Sequence, residues 1–222
     1  MSDVTTGLDN ITELNKERLS DTIYKIIRKK IIAGEFSPGE HIIELEIARA
    51  FNTSQAPVRE ALRQLQREGL IISVPYEGSF ICEVHDDEAK EIFQLRYGIE
   101  KTAAEAMLKR WSEVHSQALR DILKNMEEAV KNNLLADLVD SDLSFHRYIC
   151  RNSSNYTVII NTWEMMVGKA GLAIMNSNKR LLEQGNISVT LQHHRDMIEA
   201  FDSADYEKLM QAFENHWSII FG

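Results

Sequence analysis

The sequence predicts a mainly α protein in two parts: a small mixed α/β unit over 12–84 and an all-α bundle of six or seven helices over 85–222. Three observations carry this. All the prolines, Pro38, Pro57 and Pro75, fall in the first third, and none occurs from Tyr76 onward. Beyond Asp86 the pattern is helical nearly throughout. Between the two parts, β-prone runs at 70–74 and 79–84 flank Pro75-Tyr76-Glu77-Gly78, the pattern of a small hairpin.

The first helix is expected over 19–32, where Ile23, Ile26, Ile27 and Ile31 recur at helical spacing. Ser37-Pro38-Gly39-Glu40 is a turn by composition. A short helix follows over 44–51, and another over 54–68 with Gly69 as its stop. Two helices joined by a turn and followed by a β-hairpin make an N-terminal winged helix-turn-helix. Further helices are expected at 86–109, 112–132, 134–151, 155–177, 188–202 and 204–220, joined by short links as in a C-terminal bundle.

The bulk properties bound the function. With 44% hydrophobic and 27% charged residues, the 222-residue chain has an ordinary globular composition. No apolar run approaches the roughly 20 residues of a membrane span, and residues 1–10 lack the order of a signal peptide. Two cysteines, Cys82 and Cys150, suit a reducing cytoplasm. Net charge is −9, and even the stretch through Val84 carries 10 Lys+Arg against 13 Asp+Glu. That balance argues against nucleic acid unless positive charge is concentrated locally.

The helix over 54–68 supplies that concentration. Arg59, Arg63 and Arg67 lie at i, i+4 and i+8 on one face, while Val58, Ala61, Leu62 and Leu65 occupy the other. Gln55 sits in the first turn, where a recognition helix reaches base edges in the major groove. Ser54 is placed to cap the helix, and Pro57 costs nothing in a first turn. Asn52, in the preceding turn, tolerates a left-handed backbone.

A second constellation lies in the bundle. Asp142 and His146 share one helix face at i, i+4. His194 and His216 lie on the last two helices, at similar distances from the turn near Ser203-Ala204. One carboxylate and three imidazoles suit zinc, nickel, iron or manganese. Spacing alone leaves open that these are core or surface side chains. Arg96 is either a carboxylate-binding fork or the i, i+4 partner of Glu100.

The segments Ile32-Ala33-Gly34-Glu35-Phe36-Ser37-Pro38-Gly39, Glu44-Leu45-Glu46-Ile47-Ala48, 54–62 and Glu68-Gly69-Leu70-Ile71 together resemble the GntR family of bacterial transcription regulators. Departures from the family pattern are Gln55 for a common arginine, Asn52 for a glycine, and Glu77 before Gly78 at a wing tip that is often basic. Downstream, Glu91-Ile92-Phe93-Gln94-Leu95-Arg96 with Glu100, Asp142-Leu143-Ser144-Phe145-His146 with Asn155, and His194-Arg195-Asp196-Met197-Ile198-Glu199-Ala200 with His216 resemble the FCD effector domain of the FadR-type subgroup. The resemblance implies DNA contacts from Ser54, Gln55, Arg59, Arg63 and Gly78. It implies a divalent transition metal, zinc first, on Asp142, His146, His194 and His216, with Arg96 binding a small organic acid. Asn155, after Ser153-Ser154, is expected to cap a helix instead.

The expected protein is a cytoplasmic homodimeric transcription regulator, not an enzyme, that binds double-stranded operator DNA and responds to the acid. A metal-dependent hydrolase with an attached DNA-binding domain is the competing class, but no second carboxylate cluster or nucleophile motif accompanies the site. A constitutive DNA-binding protein with a purely structural metal is the third.

Overall fold

A computed structural model of the chain describes residues 18–155 and 157–221, with side chains as far as 218. The start of the expected small unit, 12–17, and residue 222 lie outside the described residues. The order is α1 (Leu19–Ile32), β1 (His41–Ile42), α2 (Glu44–Ala50), α3 (Gln55–Arg67), β2 (Ile71–Val74), β3 (Gly78–Ile81), then α4 (Asp86–Leu108), α5 (Glu113–Lys131), α6 (Leu135–Asn152), α7 (Val158–Glu164), α8 (Val167–Glu183), α9 (Ser188–Asp202) and α10 (Tyr206–Phe221). This is the winged helix-turn-helix and helical bundle that the sequence predicts. No single helix among the described residues is long and apolar enough to cross a membrane.

In the N-terminal part, α1 buries Ile23, Ile27, Ile31 and Ile32 and packs against α3, which contributes Val58, Ala61, Leu62 and Leu65. Burying such aliphatic side chains contributes roughly 1.5–3 kcal/mol each, so this apolar seam fixes the tilt of α3. Asn52 adopts φ 49° in the turn before α3, the left-handed value its side chain tolerates. Gly69, at φ 76°, ends the helix: its N–H donates to the Gln66 carbonyl and that of Leu70 to the Leu65 carbonyl. Ser54 does occupy the N-cap, yet its side chain makes no capping hydrogen bond, contrary to expectation.

The wing has one strand more than expected. β1 pairs antiparallel with β3, giving the order β1-β3-β2, with His41 opposite Phe80. Two residues are too short a run to show a period of two. The His41 ring stacks on Phe80 at 4.9 Å between centroids. At Gly78 the backbone stands at φ 111°, which side-chain-bearing residues rarely adopt, so the turn into β3 itself favours glycine.

The helix expected over 155–177 is two helices, α7 and α8, bent by 59° at Met165-Met166. No proline or glycine marks the break. Trp163 turns inward to Glu100 before the bend, and Gly168 meets the Glu68 backbone after it. α8 then runs on to Glu183, where Gly185 at φ 73° stops it. The polar run Asn176-Ser177-Asn178-Lys179-Arg180 disguises that continuation. Asn155 caps no helix: Thr157 precedes α7, and the Asn155 Oδ1 accepts from Arg110 Nη2 at 2.7 Å.

The two parts meet along α1, α6 and α8. Arg28 of α1 donates through Nε to Glu68 at 3.2 Å and through Nη1 to Asp140 of α6 at 2.6 Å. Tyr24 donates to the same Glu68, and Lys29 pairs with Asp137 at 2.6 Å. On the other side Gly168 presses on the Glu68 backbone: a Cβ there would stand 2.0 Å from the Glu68 carbonyl oxygen. Neither backbone can yield cheaply. Gly168→Ala is therefore expected to cost about 1–3 kcal/mol, the usual penalty for overpacking. At about 2–4 °C per kcal/mol for a chain of this size, a melting curve should fall by roughly 2–12 °C.

Candidate metal centre and DNA-facing helix

Three helices converge on one point in the bundle. α6 presents Asp142 and His146, α9 presents His194, and α10 presents His216. All four side chains are buried, and their ligand-type atoms lie within 4.8 Å of one another. Ring centroids are 5.3 Å apart for His146–His194, 4.9 Å for His146–His216 and 4.7 Å for His194–His216. His194 Nε2 faces Asp142 Oδ1 at 3.4 Å.

Outer contacts orient the rings. His194 Nδ1 lies 2.7 Å from the Thr190 carbonyl, which can only accept, so the proton sits on Nδ1 and the Nε2 lone pair turns inward. Glu100 Oε2 stands 2.6 Å from His146 Nδ1, an ion-pair distance without hydrogen-bond geometry. Glu100 is itself gripped by Arg96 Nε at 2.9 Å and Trp163 Nε1 at 2.6 Å, all of it buried. The Nε2 atoms of both His146 and His194 have no hydrogen-bond partner among the described residues. Two orphaned imidazole nitrogens facing one carboxylate are costly unless something fills the space between them. The donor set fits a divalent metal.

Electrostatics favour the ligating forms. Burial, with the neighbouring His194, His146, His193 and Arg96 charges adding to it, drives the His216 imidazole well below its usual pKa and so keeps it neutral. Burial pushes the Asp142 carboxyl up, but His194, His146 and Arg96 outweigh it and hold the group below its ordinary value. Metal ligands must be deprotonated, and both shifts run in that direction.

Beside the cluster lies a cavity of about 30 Å³, lined by Arg96, Asp142, Asn178, Thr190, His216 and Trp217 among others. Of its two candidate roles, Arg96 takes the pairing with Glu100, and its side chain also lines this cavity. Glu100, Asn178 and Trp217 escaped sequence reasoning as site residues. For Glu100 its spacing to Arg96 was a signal; for Asn178 there was none. A larger cleft of about 630 Å³ opens between the end of α1 and α8, but none of its lining side chains carries a buried polar atom without a partner. His193, as expected from its 100° offset, stays outside the cluster, its ring 6.2 Å from that of His216.

At the other end of the molecule, Ser54, Arg59, Arg63 and Arg67 are exposed and Gln55 is half-buried, all on the side of α3 away from α1. Arg59 donates to Glu44 of α2 and to Gln55, each at 2.8 Å. Gly78 is exposed at the start of β3, in the wing.

A recognition helix set in a winged helix, ahead of a bundle that ends in this Asp/His cluster, defines a modular DNA-binding transcription regulator. Residues 19–81 match the bacterial regulatory proteins of the gntR family, and residues 91–218 match the FCD domain. The chain belongs to the GntR family, with an FCD domain, a family of transcription regulators rather than enzymes. The HTH-type transcriptional repressor RspR of Escherichia coli is 24% identical over 92% of this chain and 89% of its own. The HTH-type regulator YdhC of Bacillus subtilis is 29% identical, over 60% of this chain, which spans 59% of YdhC. Among solved structures, McbR/YncC of E. coli superposes with a TM-score of 0.72 at 18% identity, covering 93% of this chain and 98% of that one, a likeness of fold.

Proposed function

We propose that this regulator is controlled by a small organic acid bound at a metal held by Asp142, His146, His194 and His216. The observation that carries the proposal is the convergence of these buried donors, two with unpartnered Nε2 atoms, beside a cavity that Arg96 enters. Zinc suits three imidazoles and one carboxylate best, and nickel, manganese or iron accept the same donors. When bound, the metal supplies a Lewis-acid position for one carboxylate oxygen. Arg96 offers a guanidinium to the other, while Glu100 keeps Arg96 and His146 in register.

The DNA-reading unit comprises 12–84 and the effector-binding and dimerising unit 85–222. Ser54, Gln55, Arg59, Arg63 and Gly78 face operator DNA, in a cytoplasmic homodimer whose two copies of α3 read two half-sites. α6 links the two ends of the mechanism. Asp142 and His146 point into the site, while Asp137 and Asp140 of the same helix pair with Lys29 and Arg28 of α1. A shift of α6 on ligand binding is thereby passed to the helix that carries α3.

Elemental analysis of the purified protein is expected to give about one metal per chain. Short carboxylates should raise the melting temperature of the metal-loaded protein and leave the chelated protein unmoved, since only native-state binding stabilises. Equal shifts with and without metal would refute the shared site.

A further inference from the structure

Three buried nitrogen donors around the cavity are not fully used by the protein. Asn178 Nδ2 and Trp217 Nε1 make no hydrogen bond among the described residues, and Arg96 Nη2 lies 2.9 Å from Glu100 without hydrogen-bond geometry. Arg96 and Trp217 stand together, the guanidinium 5.1 Å from the indole centroid. Asn178 differs. It is on α8, which contributes no donor to the cluster, and it is 3% exposed. Ile174, Ser177 and Leu181 of α8 line the same cavity, and of these α8 side chains only Asn178 holds a buried polar atom without a partner among the described residues. A buried donor without a partner is costly, and an apolar side chain would serve the fold there at less cost.

We infer that Asn178 reads a second oxygen on the effector, at the end remote from the carboxylate. The ligand class is then a short acid with a terminal hydroxyl, carbonyl or second carboxylate, not a plain alkanoate. The cavity sets the length. Its volume of about 30 Å³ has room for only two or three waters at roughly 10–15 Å³ each, so the acid is a short one. A plain alkanoate of that length leaves the Asn178 amide stranded beside a methyl group. A site built to bond a hydroxyl rejects the analogue lacking it, because its own polar group is left unpaired. This inference rests on the effector site proposed above.

Isothermal titration of the zinc-loaded protein with propionate and 3-hydroxypropionate tests it, since the two differ by one terminal oxygen. The hydroxy acid is expected to bind at least about tenfold more tightly to the unaltered protein. In Asn178→Leu that preference should fall towards one. Equal affinities in the unaltered protein, a comparison that needs no variant to fold, overturn the role of Asn178. So does a preference that survives in Asn178→Leu. If propionate and 3-hydroxypropionate bind equally but only with zinc and Arg96 present, the effector site stands and Asn178 alone is refuted. If neither acid binds the zinc-loaded protein, both the site and its reader fall.

Discussion

Replacing His194 by alanine is expected to remove metal binding and uncouple thermal stability from metal. The side chain is fully buried, with Nδ1 committed to the Thr190 carbonyl and Nε2 turned to Asp142. Losing an outer-shell partner of a ligating histidine costs about 10–100-fold in metal affinity, and losing the ligand itself must cost more. At a free metal concentration 100 times the dissociation constant, native-state binding contributes about 2.7 kcal/mol. At about 2–4 °C per kcal/mol, chelating the unaltered protein should lower its melting temperature by roughly 5–11 °C. His194→Ala should show no such response. The ring also packs edge-on to Phe145 at 4.7 Å, so the variant begins from a lower baseline. Its difference with and without chelator is therefore the readout. A chelator effect equal to that of the unaltered protein would exclude His194 as a ligand.

The second large effect is expected on the DNA face. Arg59→Ala should weaken operator binding by about 1–3 kcal/mol per half-site if the guanidinium reads a guanine, and relax the preference at that base. Arg59 is held in the free protein by Glu44 and Gln55, and both contacts are exposed. Exposed pairs of this kind contribute about 0–1 kcal/mol, too little to hold the side chain from a phosphate or base. Arg63, one turn further along and exposed, should instead show a loss that is uniform across sequences if it meets the backbone, with a salt slope smaller by about one. A gel-shift titration at two salt concentrations separates these cases. Unchanged affinity in both variants would remove α3 from the interface.

The winged helix was legible because its signals are local. Asn52 and Gly69 fix the ends of α3 through backbone geometry, and its four buried aliphatic residues share one face. The four donors of the bundle were candidates by spacing, and the resemblance to the FCD domain singled them out. An i, i+4 pair and two positions equidistant from a turn are distances along a helix, and the structure brings all four together. What the sequence hid depends on tertiary contact. β1 exists only because His41 and Ile42 find β3. The bend between α7 and α8 is marked by no breaker, and the contacts on its two sides, Trp163 to Glu100 and Gly168 to Glu68, reach far back along the chain. Glu100 read as the partner of Arg96, and its second contact, to His146, required α4 to lie against α6. Asn178 sat in a polar run that resembles the end of a helix.

The most direct test of control by the bundle is operator affinity measured on metal-loaded protein, with and without a saturating short acid. The duplex is one selected from random sequence, and the acid is the tightest binder of the series above. Coupling between the cluster and α3 predicts a change of about 5–150-fold in affinity, lost in Arg96→Ala, with a reciprocal and equal change in acid affinity when operator is bound. An operator affinity that stays the same while the acid occupies its site would contradict it, leaving a DNA-binding protein whose buried metal cluster serves the fold alone.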